Sequence, residues 1–497
     1  VTGTSVPAKP SDVEARDRQW AEISDFATDT RPGALLGVVY GRRRLGKTFL
    51  LSALVEQTGG FAFEATQDTE LMTLGRLGRE LASHTGALAP LILADWGDAL
   101  DALLGLGRER PTTVVLDEFP YLAQSTPSIA SIIQRAFSPR RPERRDSRTR
   151  LILCGSALAF MGNLLTGQAP LRGRSSLDLV VPPLDFREHR AFWGIDDERI
   201  AAQLFSITGG TPAYRSLARG SAPRDARSFD RWVCANPLSS SSPLFREARY
   251  LMTEDLDVRD PQVFNSILGA AATGSTTRGA ISTRVGKQST DIAHHLSVLE
   301  SAGYLAKVDD AFSTRKPVWR IADQIIRFER AVMRPVWSRL NTTNDVTSIW
   351  EQQQGAFRSQ VIGPQFEEIC RDWALTHADP QRFHASAITR VAPAVVSMGG
   401  REQAQVDVVV FGIVDGRSTL LSIGECKWSV PVTHAHVERL KRIRARLGAS
   451  GIDVSRTGLA FYSGSAKGGR PPASSAPGII HVDLAEMYGS PPAQGSG

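Results

Sequence analysis

Cysteine is scarce in this chain. Four occur in 497 residues (Cys154, Cys234, Cys370 and Cys426), and they are widely spaced. Each lies in or beside an apolar segment, which points to buried free thiols and away from a disulfide framework or a zinc site. Long apolar runs are also missing, and none approaches the ~20 residues that a membrane span requires. Residues 1–10 have no charged-then-apolar leader pattern, so a cytoplasmic protein with no membrane partner is expected. Neither charge sign is in large excess. Lys and Arg number 58 against 52 Asp and Glu, a net +6, which permits a polyanionic partner without demanding one. With 42% hydrophobic and 22% charged residues, the composition is that of a globular protein. The length suggests roughly three domains, and no internal repeat is found.

Ser, Gly, Pro and Ala dominate 463–478 and the end from 491 to 497; these segments, with residues 1–10, read as loose. Between about 33 and 210, apolar β-type runs at 35–40, 61–64, 113–116, 150–154 and 177–181 alternate with helical stretches. That alternation predicts a parallel sheet covered by helices. From 211 to 345 the pattern is mostly helical. From about 350 a helix precedes strand-like runs at 406–411 and 419–424, followed by a helix near 433–447 and a strand near 456–462.

The first chemistry-bearing motif is Gly41-Arg42-Arg43-Arg44-Leu45-Gly46-Lys47-Thr48. It follows the apolar run 35–40 and opens a helix-spaced stretch, the strand–loop–helix order that a P-loop needs. Its N–H groups and helix N-terminus suit phosphates. Lys47 would reach the β- and γ-phosphates of ATP, and the Thr48 hydroxyl would ligate Mg²⁺. A second apolar run ends in Asp117-Glu118. Two acids there are costly unless they work at the strand's carboxyl edge, where ligands bind in such sheets. Asp117 suits the Mg²⁺ surroundings and Glu118 a base that orients water. A third run ends in Gly155-Ser156, where Ser156 can sense the γ-phosphate. Arg172 and Arg174 precede the next strand, and either suits transition-state charge.

These motifs resemble those of archaeal-type ATPases of the STAND class, AAA-related P-loop proteins. The shared segments are Tyr40 to Thr48, Asp117-Glu-Phe-Pro-Tyr-Leu122, Cys154-Gly-Ser156, Pro170-Leu-Arg-Gly-Arg174 and Gly209-Gly-Thr-Pro212-Ala-Tyr214. The resemblance implies that the last of these is a turn near the nucleotide and lid. An upstream Arg-Glu motif of the family is reduced here to Arg16-Asp17. The expected division is a P-loop ATPase core over 11–210, a helical lid and winged-helix domain over 211–345, and a PD-(D/E)XK nuclease-like domain over 350–490.

In the middle segment, 289–303 has helical spacing, with Ser289 or Thr290 placed to cap it. Ile292, Leu296 and Leu299 form its apolar face. Gln288, Ser289, Thr290, His294 and His295 are expected to face outward. The resemblance makes this the recognition helix of a winged helix, which serves either DNA contact or protein docking.

Near the end, Glu367 stands in a helix, Asp407 in an apolar strand, and Glu425 and Lys427 two apart in another strand. Side chains two apart share one face of a strand. Two acids and a lysine at strand ends suit a Mg²⁺ or Mn²⁺ site, with Asp407 and Glu425 as ligands and a lysine assisting phosphodiester hydrolysis. The set matches the nuclease-like pattern Gly363-x-x-Phe-Glu367, Gln405-Val-Asp407, Glu425-Cys-Lys427-Trp428, with Gln405 where the family often has Glu. Arg439, Lys441, Arg442, Arg444 and Arg446 follow on a helix, and six arginines lie within 140–150. Beside a nuclease site the first cluster suits phosphates, and either cluster also reads as a solvated face. Expected partners are nucleic acid, with DNA ahead of RNA, and a second copy of the chain or another protein. Whether the C-terminal segment cleaves or only binds stays open at this point.

Overall fold

The computed structural model describes residues 6–255, 261–313, 317–342, 345–400, 402–465 and 478–489. Most of the segment expected to be loose at 463–478, and all of 491–497, lie outside them. Among the described residues no helix is long and apolar enough to cross a membrane. The chain packs as two compact units, Val1–Pro183 with Thr211–Ala213, and Leu184–Gly210 with Tyr214–Gly497. The segment 11–210 read as one core therefore runs past the first break, and 211–345 and 350–490 fall within one unit except for Thr211–Ala213.

The first unit is a five-stranded parallel sheet of β1 (Leu35–Tyr40), β2 (Phe61–Glu64), β3 (Thr112–Asp117), β4 (Thr149–Gly155) and β5 (Ser175–Val180), in the order β2-β3-β4-β1-β5. β3 and β4 are buried at every position. Strands covered on both faces carry unbroken apolar runs, which is why they were readable to within two residues. Leu36, Val38, Val114, Leu116, Leu151 and Leu153 pack with Trp96 and Leu100 on one face. Val39, Val115, Ile152 and Cys154 pack with Leu50, Leu54 and Trp20 on the other.

The second unit gathers helices from Phe186–Trp193 onward around one large apolar core. Helices Pro261–Ala272, Arg278–Val285 and Asp291–Ser301 precede an antiparallel hairpin, β6 (Leu305–Val308) and β7 (Val318–Ile321). A mixed sheet follows, β8 (Ala387–Gly399), β9 (Glu402–Val414), β10 (Arg417–Lys427), β11 (Gly458–Ser463) and β12 (Ile479–Asp483), in the order β12-β11-β10-β9-β8. Its β8–β9–β10 part is antiparallel and its β10–β11–β12 part parallel. Alternation along the strands serves two layers. Val408, Val410 and Leu421 meet Phe366, Ile369 and Cys370 of helix Gly363–Asp372. Val409, Leu420 and Ile423 meet Val437, Leu440 and Ile443 of helix His434–Ala449.

One buried charge ties the first sheet to its approach loop. Arg150 is fully buried. It donates to the carbonyls of Asp29 (3.1 Å), Arg31 (3.0 Å) and Gly33 (2.9 Å). Arg150→Met keeps the stem and strands those acceptors. We expect a loss of about 2–4 kcal/mol, read as a melting midpoint lower by roughly 5–15 °C. An unchanged midpoint would mean that water replaces the guanidinium.

Candidate functional site

Pairing register sets the first site. Tyr40 of β1 lies opposite Gly155 of β4, and Leu116 of β3 opposite Leu153 of β4. The loops after β1, β4 and β3 therefore leave one edge of the sheet, with β4 in the middle. Gly41 allows the turn because a Cβ there would sit 2.5 Å from the Val181 carbonyl oxygen. Arg44 (φ 66°) and Gly46 (φ 83°) take left-handed backbone, which reverses the chain before helix Lys47–Thr58 begins.

Arg16, buried and itself left-handed, donates to Leu45 O (3.1 Å) and Pro182 O (2.7 Å). It braces the loop from outside. Asp17 is instead exposed and pairs with Lys9 at 2.5 Å. The turn segment Thr211–Ala213 also reaches the loop, through Ala213 N to Arg44 O at 3.4 Å.

Lys47 is buried, with its Nζ donating to Arg42 O at 2.9 Å. Thr48 Oγ1 donates to Asp117 Oδ2 at 2.6 Å. Asp117 Oδ1 accepts the Glu118 N–H at 2.8 Å. Ser156 Oγ donates to Glu118 Oε2 at 3.2 Å and Oε1 at 3.3 Å. Thr48, Asp117, Glu118 and Ser156 thus form one connected chain across three strand ends. Glu118 has φ 50°, a conformation uncommon outside glycine. Burial, and then the neighbouring Asp117 charge, hold its carboxyl above the ordinary range. Arg43 reaches Tyr121 Oη at 3.3 Å. Arg172 is exposed and donates to Gly167 O at 2.7 Å. Among the described residues the buried Nε of Arg174 has no hydrogen-bond partner, and no hydrogen bond joins either arginine to the loop or to the Asp117–Glu118 pair.

The second site lies where β9, β10 and helix Gly363–Asp372 converge. Asp407 Oδ2 accepts the Cys426 N–H at 2.8 Å. Burial, and then the Glu367 charge, raise its pKa to about 7. Glu425 Oε1 meets Lys427 Nζ at 2.7 Å, which confirms that the two share a face, and its Oε2 meets Arg439 at 2.8 Å. Glu367 faces Arg320 at 3.4 Å and Arg371 at 3.7 Å. Arg371 also donates to Asp407 O at 2.9 Å. Among the described residues no three acidic, His or Cys side chains converge as a metal-ready group.

Several expectations change. Arg439 belongs to the acidic cluster and is not an open phosphate contact. Arg444 and Arg446 are spent on the carbonyls of Thr457 and Ser397, and Lys441 on Glu438, which leaves Arg442 exposed. In the 140–150 cluster, Arg141 pairs with Asp101 and Glu143, and Arg145 with Asp146. Thr290 does not cap its helix through its side chain. His295 packs against Phe264 at 4.9 Å and is not fully outward, whereas His294 is exposed. Arg320 and Arg371 were missed, whereas Arg16 was marked through the motif that it forms with Asp17. The one signal for Arg320 was a lone charge inside the apolar run of β7.

No family model matches the chain. An uncharacterised protein of Methanocaldococcus jannaschii is 24% identical over 342 residues, covering 68% of this chain and 72% of that protein. A Walker-type ATPase of Pyrococcus abyssi shares 17% identity over 65% of this chain and 97% of its own, with a TM-score of 0.45. The Aeropyrum pernix ORC2 protein, in its ADPNP–ADP complexes, shares 15% over 71% and 97%, with a TM-score of 0.43. Cdc6p of Pyrobaculum aerophilum shares 15% over 69% and 96%, with a TM-score of 0.31. These likenesses are too distant to carry a function across.

Proposed function

We propose that this chain binds and hydrolyses ATP with Mg²⁺ at the loop Gly41 to Thr48, and that nucleotide state governs a metal-dependent site in the second unit that cleaves nucleic acid. The reading divides the chain into an ATPase core, a helical module containing a winged helix, and a nuclease-like α/β module. The Thr48–Asp117–Glu118–Ser156 chain carries the first half. It sets a hydroxyl against a buried carboxylate beside Lys47, and a second carboxylate one residue on. Lys47 would hold the β- and γ-phosphates, Thr48 and Asp117 would hold Mg²⁺, and Glu118 would take a proton from the attacking water; Mg²⁺, when bound, would supply charge neutralisation on the phosphates.

The Asp407, Glu425 and Lys427 arrangement supports the second half. Asp407 and Glu425 would hold Mg²⁺ or Mn²⁺, Glu367 would complete the acidic surround, and Lys427 would position water or steady the phosphate. A second reading is a switch in which nucleotide state gates binding of DNA or a protein without cleavage. It is favoured by the pairing of both Glu425 oxygens with Lys427 and Arg439.

Three measurements test these readings. Lys47→Ala should abolish ATP binding by calorimetry, whereas Glu118→Gln should bind ATP and turn over roughly 10²–10⁴-fold more slowly. Parent-like turnover in Glu118→Gln would remove it as the base.

Asp407→Ala should lose both Mn²⁺ binding and cleavage of DNA, and Lys427→Ala should lose cleavage alone. Mn²⁺ binding indifferent to Asp407→Ala moves the second unit to the switch reading.

The third test is pH. Asp407 titrates at about 7 in the fold against about 3.9 unfolded. The native state holds that proton more tightly, so its stabilisation is complete below pH ~4 and is lost as pH rises to ~7. Melting temperature without divalent metal should fall across that window in the parent and stay flatter in Asp407→Asn. Equal profiles for the two proteins would refute the assignment.

A further inference from the structure

The second unit carries an open cavity of about 690 Å³ beside the acidic cluster. Its walls are β7, the end of helix Pro261–Ala272, helix Gly363–Asp372 and the strands β8 and β9. Both Glu367 and Arg320 line it. Asp310 and Ser313, which follow β6, line one side. Ala311 N bonds Pro393 O at 2.8 Å, and Arg390 bonds Asp310 O at 2.8 Å, so this segment is fastened to β8.

Arg320 is under-satisfied for its burial. Its side chain is 15% exposed. Among the described residues, its side chain makes one hydrogen bond, the 3.4 Å contact to Glu367, against the ~2.7–2.9 Å usual for charged pairs. A guanidinium has several further donors, and Arg320, which is 15% exposed on the cavity wall, keeps them available there. The other acids of the cavity are already engaged. Glu368 pairs with Arg327 at 2.7 Å, and Asp310 accepts Val395 N at 2.6 Å. Thr276, Ser359, Gln403 and Gln405 add neutral donors and acceptors. Arg320 is thus the cation in this cavity with donors to spare for an anion. The volume falls in the ~300–1,000 Å³ range of small-ligand sites. A duplex, whose major groove alone is about 12 Å wide, is far too large to enter.

We propose that this cavity takes a single-stranded segment of nucleic acid, with Arg320 bonding a backbone phosphate. It thereby selects single strands for the acidic cluster. The proposal rests on reading that cluster as nucleic-acid-directed, but it concerns binding and not cleavage. DNA and RNA strands share the phosphate chemistry.

The test is fluorescence anisotropy on the full chain in EDTA, with labelled oligo-dT, oligo-U and a blunt DNA duplex. The parent should bind a single strand more tightly than the duplex, and the dT and U arms tell which strand is taken. Arg320→Gln should weaken single-strand binding about tenfold and lower the log–log salt slope by roughly 0.7, with duplex affinity unchanged. Gln403→Glu, an isosteric change at an exposed position in the lining, should weaken it as well and stands in if Arg320→Gln disturbs folding. Parent-like single-strand affinity in both variants, or a parent that prefers duplex, overturns the proposal. Faster cleavage by Arg320→Gln at unchanged affinity also overturns it, because Arg320 would then only restrain Glu367. If single-strand binding responds as expected but no metal yields cleavage, the nuclease reading fails and the cavity assignment stands.

Discussion

Asp117 is 5% exposed at the end of a fully buried strand. A carboxylate taken that far out of water costs several kcal/mol unless bonded on both oxygens. The Thr48 hydroxyl and the Glu118 N–H supply those bonds, and each comes from a different place in the chain. Thr48 can reach Asp117 only if the loop turns sharply at Gly41 and Gly46 and the helix starts at Lys47. The Glu118 N–H reaches Asp117 through the peptide that joins them, and the left-handed φ of 50° at Glu118 turns the chain into the next helix. Satisfying one buried charge therefore fixes the loop and the start of its helix. It also fixes the position of the second carboxylate relative to Ser156.

The second unit meets the same constraint differently. Its carboxylates are held by bases, Glu425 by Arg439 and Glu367 by Arg320 of β7 and by Arg371 one turn along its own helix. One consequence is electrostatic self-neutralisation. A cation entering between Asp407 and Glu425 must compete with guanidinium and ammonium groups already there, so the cluster responds to whatever moves the β6–β7 hairpin or helix His434–Ala449.

What was legible in the sequence follows from locality. The loop Gly41 to Thr48 is eight consecutive residues, and β1, β3 and β4 are largely apolar, so these could be read directly, whereas β5, with Ser176 and Asp178 exposed, was placed only to within two residues. Glu425 and Lys427 share a face by simple alternation. β8 was not read because Pro393 and exposed residues break its apolar pattern. β12 was missed because it is five residues long, directly after a Gly-, Ser- and Pro-rich stretch. The partners of the acids were illegible for another reason. Arg439 sits in a helix dense with basic residues, and nothing local distinguishes the arginine that faces Glu425 from those that face carbonyls or water. Only the packing of helix against sheet selects it.

The strand order of the first sheet also governs how the chain is made. β1 lies between β4 and β5, and Arg150 of β4 is the partner of Leu35. A ribosome that has released Tyr40 must add more than a hundred residues before either neighbour exists, about 5–20 s at ordinary elongation rates. Throughout that interval an apolar strand carries two unpaired edges, the condition under which chains associate with one another. The arrangement that brings three strand ends to one edge of the sheet thus leaves β1 of the nascent chain without its neighbours until β4 is made.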